Sequence, residues 1–414
     1  MKKRIAGLLL TLCVVMTLMP CAPVIAAPVY WTEEGTYDLS WYGDGSAAAY
    51  TITQPRELAG LAYLVNSGTG SFGNKTVTLG ADIDLSAYDW TPIGSISSFA
   101  TGITFDGGGH KITGMKVTAC NDSSLAMVGL FGVIGGSTVK NLYVSGSVII
   151  ATGPRYLEYI SAGGIAGWSG QSTIVNCGSD VDISVTCSGR LAVAVGGIAG
   201  RSDANPPASI LNCYATGDLL IGGAINYLEL GGIAGEVNGD DLRNCYFAGT
   251  LRPEATSPRS YTGGIGGKVT DGILSNCYYL PGEDGRPLTG TSTGATVAEG
   301  CGTFSDNTGA LTPLPTHTLL DPNLLKALNA WGGTRPDSGQ YLPWYVVAAV
   351  NGAYPQFTAP PVVNTPSSPE STPNTTNAPI SDTGDHAALP LLLTVSALAA
   401  LAGGAFAVKK RRKA

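Results

Sequence analysis

The chain has 414 residues, a formal net charge of −7, 13% charged residues and 57 glycines. Eight of its 23 Lys and Arg stand at the two extreme ends, so the 15 that remain face 30 Asp and Glu, a net −15 for everything between. An acidic exposed part argues against nucleic acid as an electrostatic partner, glycine without a three-residue period excludes collagen, and sparse Lys and Glu argue against long helices.

Residues 1–27 read as a secretory signal peptide. Lys2, Lys3 and Arg4 open it, an uncharged apolar run extends from Ile5 to Met19, and Val24-Ile25-Ala26 supplies a small-residue cleavage pattern, with cleavage after Ala26 or Ala27. A lipoprotein site at Cys21 fits poorly, because Pro20 stands where a small residue is needed. Residues 28–74 are expected to form an N-terminal cap. Within it, Thr53-Gln54-Pro55 opens a short helix, Leu58, Leu61, Ala62 and Val65 share one face, and Asn66-Ser67-Gly68 ends it.

From residue 75 to 310 the chain repeats itself. Gly-Gly-Ile-x-Gly occurs at 163–167, 196–200, 231–235 and 263–267, each followed by an Asn-Cys pair, and a diverged copy at Val128–Gly132 leads to Asn141-Leu142. The asparagines Asn141, Asn176, Asn212, Asn244 and Asn276 are spaced by 35, 36, 32 and 32 residues. Two residues before each stands an apolar side chain (Val139, Ile174, Ile210, Leu242, Leu274), and the position between is unrestrained, which is strand alternation. Units of short strands that cannot bury themselves alone must stack, giving an all-β solenoid of about seven coils. The asparagines then form a structural ladder at a corner, since Asn tolerates the left-handed backbone of a bend and its amide can bond the next coil's amide.

Leu142 and Cys177, Cys213, Cys245 and Cys277 share one position, which reads as a buried stack of small apolar groups; with Cys120, Cys187 and Cys301 they make seven cysteines after the signal. Cysteines so far apart in sequence, with no histidine in any repeat, indicate no metal site. One residue further on, Tyr143, Tyr214, Tyr246 and Tyr278 are expected to point outward, with Gly178 interrupting the row. Aromatic faces one coil apart are candidate ligand-stacking groups for sugar rings or a protein partner, and the competing reading is packing beneath loops.

These residues resemble the GLUG motif of bacterial surface proteins and of the non-catalytic regions of some secreted peptidases. The stretches Val77–Leu85, Trp90–Gly94 and Phe105–Gly114 add to the likeness, which covers roughly residues 50–358. The resemblance implies a right-handed parallel β-helix and an adhesin-like role at the cell surface. It supplies no ligand.

Catalysis is weighed against this. Right-handed β-helices include polysaccharide lyases and hydrolases, whose sites need paired carboxylates. Asp82, Asp84 and Asp106 are the best placed, but Asp106-Gly-Gly-Gly-His110 reads as a glycine turn, and so does Asp240-Asp241. The histidines are 110, 317 and 386, so a His-Glu-x-x-His zinc helix is excluded. Gly290-Thr291-Ser292-Thr293-Gly294 matches a nucleophile elbow only formally, with loop residues on both sides. No catalytic residue and no cofactor is expected.

Residues 311–358 are expected to cap the solenoid's far end, with a helix opened by Asp321-Pro322 that carries Leu324, Leu325, Leu328 and Trp331, and a strand pair near Tyr341–Val350 and Tyr354–Phe357. Residues 359–385 are a Pro/Ser/Thr-rich linker. In 386–414, an uncharged span at 387–408 is long enough for a transmembrane helix and is followed by Lys409-Lys410-Arg411-Arg412-Lys413. This order resembles the cell-wall sorting signal of sortase substrates, and implies cleavage between Thr383 and Gly384 and covalent attachment to peptidoglycan. Ser381 stands where that family has proline, which leaves a retained membrane span as the alternative. The expected protein is therefore a secreted, Gram-positive, wall- or membrane-anchored binding or adhesion protein for a host or neighbouring-cell glycan or protein. The alternatives are a glycan-processing β-helix enzyme and a purely structural envelope protein.

Overall fold

Parallel strands dominate the computed structural model, which describes residues 29–119, 125–152, 158–203, 209–270, 272–279, 304–305, 322–346 and 355–357. All of these fall within one unit, Met1–Pro361; the second unit, Val362–Ala414, lies outside them. So do the signal cleavage residues Ala26 and Ala27, Cys120, Cys301, Thr383, Gly384 and the span at 387–408. Among the described residues no helix is long and apolar enough to cross a membrane.

Three parallel sheets wind into a β-solenoid. The first stacks eight strands in chain order: Ala49–Ile52, Thr76–Leu79, Thr104–Asp106, Thr138–Thr152, Thr173–Ser188, Ser209–Leu211, Asp241–Arg243 and Ile273–Ser275. The second holds Leu125–Val128, Tyr159–Gly163, Ala192–Gly196, Tyr227–Gly231 and Ser260–Gly263. The third runs from Ala100–Thr101 through Phe131–Gly135, Ala166–Gly170, Ala199–Asp203, Ala234–Asn238 and Gly266–Thr270 to Phe304–Ser305. Among the described residues five coils have a strand in all three sheets, fewer than the seven expected; the outer coils show none in the second sheet. At about 4.8 Å between neighbouring strands, the eight-strand stack spans about 35 Å.

The repeats register as their spacing requires. Val139, Ile174, Ile210, Leu242 and Leu274 align and are fully buried, and so do the first glycines of the Gly-Gly-Ile turns, Gly163, Gly196, Gly231 and Gly263. Those glycines are steric necessities. A Cβ on Gly163 would sit 2.3 Å from the Ala166 carbonyl oxygen, and one on Gly164 would sit 2.0 Å from the Ser179 hydroxyl. The motif is therefore the tight crossing between the second and third sheets, not a binding signature.

At the N-terminal side, helix α1 (Pro55–Asn66) buries Leu58, Leu61, Ala62 and Val65 in the solenoid core. Its N-terminus is fastened by Glu57, whose carboxylate accepts from the Gln54 backbone N–H at 3.0 Å. Gly68, at φ +69°, follows the C-cap Ser67 and ends the helix as its sequence predicts.

The C-terminal segment departs from expectation. Helix α2 (Pro322–Gly333) and the extended chain after it lie along the flank of the solenoid and do not close its end. Leu324 and Leu328 pack with Tyr214, Tyr246, Tyr278 and Trp344 in a second apolar cluster separate from the main core. An antiparallel bridge joins Tyr345 and Gln356, within the strand pair expected there.

Candidate functional site on the ladder flank

The five asparagines hold the corner. Their φ angles lie between 51° and 56°, the left-handed region that bends the strand, and Asn pays less for it than most residues. Each side-chain amide donates to the carbonyl oxygen one coil earlier: Asn176 to Asn141 at 2.9 Å, Asn212 to Asn176 at 2.8 Å, Asn244 to Asn212 at 2.6 Å and Asn276 to Asn244 at 2.5 Å. Asn141 in turn donates to Asp106 at 3.0 Å, so a carboxylate terminates the ladder.

An amide nitrogen has two hydrogens, and the ladder uses one. The second points out of the solenoid to a backbone carbonyl of the C-terminal segment, which acts as a strap. Asn176 donates to Gln340 at 2.7 Å, Asn212 to Leu342 at 3.0 Å, Asn244 to Leu328 at 3.1 Å and Asn276 to Ala327 at 3.5 Å. The Leu342 N–H donates back to the Asn176 oxygen at 3.1 Å, and the Trp344 indole N–H donates to the Asn212 oxygen at 2.7 Å.

This strap corrects the reading of the tyrosine row. Tyr214, Tyr246 and Tyr278 leave the solenoid outward as expected, yet only 3%, 0% and 8% of their surface is exposed. The rings of Tyr214 and Tyr246 stack at 5.3 Å and 9°, Trp344 covers both, and Phe357 packs on Tyr214 and Trp344. The Tyr214 ring also lies over Gly178, where any Cβ would meet it at 2.4 Å, so the gap in the row is filled from the next coil. Three of the four proposed stacking residues are thus under the strap. Tyr143 remains half-buried.

Around Tyr143 the strap leaves an open groove of about 160 Å³, bounded by Lys111, Asn141, Asp180, Tyr214, Gln356 and Phe357 among others. The Lys111 ammonium lies 5.7 Å from the Tyr143 ring centre. Burial and then the nearby Asp180 carboxylate push the Tyr143 hydroxyl up to about 12, so it stays a neutral donor. The Gln356 side chain is 5% exposed, and its amide nitrogen is buried with no hydrogen-bond partner. The groove therefore offers an aromatic wall, amide donors, an ammonium and a carboxylate, a set suited to binding.

The three aspartates considered for catalysis hold structure. Asp82 accepts from the Lys111 N–H at 3.0 Å and from His110 at 3.1 Å, and Asp84 from the Ser86 N–H at 2.9 Å. Asp106 accepts from Gly108 and Asn141 and pairs with Lys140 at 3.2 Å; these partners outweigh its burial and hold its carboxyl below the usual range. Cys177, Cys187, Cys213, Cys245 and Cys277 are free, buried thiols, with burial pushing Cys187 up to about 11. Among the described residues no group of three or more His, Cys, Asp and Glu could hold a metal ion.

A charged cluster went unseen in the sequence. On the opposite side, between the second and third sheets, Lys268 pairs with Glu229 at 3.3 Å and Glu236 at 3.2 Å, and Arg201 pairs with Glu236 at 3.3 Å and Asp203 at 2.8 Å. Glu229 is 2% exposed, and burial together with Glu236 pushes it up to about 7. The signal was present: Trp168, Arg201, Glu236 and Lys268 each directly follow the last glycine of a Gly-Gly-Ile-x-Gly unit, so alternating charges stack coil upon coil. Its carboxylates are tied up by cations, and the cluster reads as an inter-coil ion network.

The class of protein is thus a parallel β-solenoid of repeated Gly-Gly-Ile-x-Gly coils, and the GLUG motif matches residues 192–219, which contain one of them. The motif match falls on one coil of a stack whose neighbouring coils share its Gly-Gly-Ile-x-Gly turn. The chain is also similar to a crystal structure from Bacteroides ovatus named as a "putative immunoglobulin A1 protease". That match has 21% identity and a TM-score of 0.47, over 75% of this chain and 92% of the other. No curated relative matches the chain.

Proposed function

We propose that this chain is a non-catalytic binding protein displayed on the cell surface, and that it takes its partner in the flank groove beside Tyr143. The observation that carries this reading is the groove itself, which sets a half-buried aromatic ring and an unpartnered buried amide next to a lysine and an aspartate. The coil sense we assign is right-handed, the sense of about 98% of parallel crossovers. The signal at 1–27 and the linker, apolar span and basic tail at 359–414 support export and anchoring to the wall or membrane of a Gram-positive envelope.

Two measurements test the reading. Arrays of host glycans and surface proteins probed with the full chain should give binders, and Tyr143→Ser with Lys111→Ala should abolish them while leaving the unfolding transition in place. Binding that ignores both substitutions places the function elsewhere. For the anchor, mass spectrometry of wall-released protein should find the C-terminus at Thr383; an intact chain through Ala414 in the membrane fraction would instead assign a retained span.

A further inference from the structure

The strap shows what the groove is built to hold. At the Asn176 rung the side-chain amide reads a main chain at two points: it donates to the Gln340 carbonyl at 2.7 Å and accepts from the Leu342 N–H at 3.1 Å. At the next rung, Asn212 donates to the Leu342 carbonyl at 3.0 Å, and the ring of Trp344, two residues on, packs at a tilt against Tyr214 and Tyr246. The strap reaches its lowest rung, Asn176, at Gln340, the last residue of a 3-10 turn at Ser338–Gln340, and among the described residues makes no bond to the rung below. Asn141 is that rung. It has the same left-handed backbone, and it donates along the ladder to Asp106 and accepts from Asn176, but it donates to no strap carbonyl among the described residues. Tyr143 occupies the row position that Tyr214 and Tyr246 occupy under Trp344. Gln356 lines the same groove, and its buried amide nitrogen has no hydrogen-bond partner.

We infer that the groove binds an extended peptide segment of another protein, with a backbone carbonyl on Asn141 and an aromatic side chain on Tyr143. This inference rests on the binding function proposed above and names its ligand class. A two-point amide contact matches the C=O and N–H of extended peptide main chain, and the remaining aromatic wall suits a planar side chain in the way Trp344 suits Tyr214. The groove continues, one rung lower, the main-chain contacts that the strap makes with Asn176 and Asn212.

The test uses the full chain and an end-capped, fluorescently labelled peptide with the sequence of Gln340–Tyr345, Gln-Tyr-Leu-Pro-Trp-Tyr. Fluorescence anisotropy should show saturable binding. Tyr143→Ser in the protein, or Ala for Trp in the peptide, should each weaken it about tenfold or more, since each removes a ring from the stack. Tyr143→Phe keeps the ring and should keep most of the affinity. Gln356→Leu should weaken binding about threefold to tenfold through loss of a buried donor. Equal binding to wild type and Tyr143→Ser overturns the inference, because the peptide would then be displacing the strap. Tyr143-dependent capture of a saccharide with no peptide binding overturns the ligand class but leaves the binding function standing. Binding seen only after residues 358–385 are exchanged for a Gly/Ser sequence assigns the groove to the chain's own linker and also overturns it. Arrays and peptide both failing to report Tyr143 overturn the two readings together.

Discussion

At the scale of single residues, the middle asparagines of the ladder, Asn176, Asn212 and Asn244, do three things at once: each adopts a backbone that costs most L-residues about 1–2 kcal/mol, bonds two neighbours along the ladder, and fastens the strap. Asn212 is the fullest case, buried and bonded to Asn176, Asn244, Leu342 and Trp344. Asn212→Ala should cost roughly 3–5 kcal/mol, combining unpaired buried groups on its partners with a strained Ala at positive φ. Asn212→Gly loses the same bonds but not the backbone fit, so it should be milder by about 1 kcal/mol. Urea titration of both variants checks this, and equal losses would show that the bend itself imposes no demand on residue type. That a bend stood here was legible in the sequence, because five asparagines recur in register with apolar residues two positions earlier. That each amide's second hydrogen is spent on the strap was not. Nothing in the spacing of 327, 328, 340 and 342 distinguishes a carbonyl that faces an asparagine from one that faces water.

At the scale of elements, the strap and the ion network separate what periodicity can and cannot say. The apolar face of α2 was readable from Leu324 and Leu328, but amphipathicity predicts that a face is buried and does not choose the surface that buries it. The tyrosine row supplied an apolar flank competing with the solenoid's end, and it won because Trp344 and Phe357 could follow the helix onto it. Trp344→Ala removes the ring over Tyr214 and Tyr246 and a bond to Asn212, and should cost the docked strap about 3–5 kcal/mol. The expected result is selective: faster hydrogen exchange and proteolysis across 322–346 and 355–357, with the far-ultraviolet signature of the solenoid retained. Loss of the whole fold would show instead that the strap and coils form one cooperative unit. The ion network predicts a pH dependence. Glu229 titrates at 4.5 in its ordinary state and near 7 when folded. Below about 4.5 both states hold the proton and its contribution is fully present; between there and about 7 only the folded state still holds it, so stability falls as pH rises through that window. Glu229→Gln should remove that component. The difference in unfolding free energy between the two proteins, followed from about pH 4 to about pH 8, must therefore change in the variant's favour as pH rises; a flat difference would mean that Lys268 already cancels the burial penalty.

At the scale of the whole molecule, the solenoid is a stack in which each coil meets only its neighbours, so stability is close to a sum of coil and interface terms. The strap is the exception, since it ties rungs Asn176 to Asn276 together from outside. A coil added below the strap should therefore be absorbed without disturbing it, whereas a fraction of a coil cannot be. Residues 142–176 are one full period, because the amide of Asn176 reaches back 35 positions to Asn141. A second copy of 142–176 inserted after Asn141 places a new Gly-Gly-Ile crossing and a new asparagine between rungs that already match both. The rod should lengthen by about 4.8 Å, gain a sixth ladder rung and unfold at or above the parent's midpoint. Half that insert offsets the first sheet by part of a turn. It would set the asparagine φ requirement, the glycine crossings and the buried Val139–Ile174 column against the wrong partners, and should prevent folding. Small-angle scattering and urea unfolding of the two insertions give the answer. A full-period insert that fails to fold while the parent is stable would mean that the coils are not interchangeable, and that the lowest rung, where the groove lies, depends on Asp106 and its turn being fixed directly beneath Asn141.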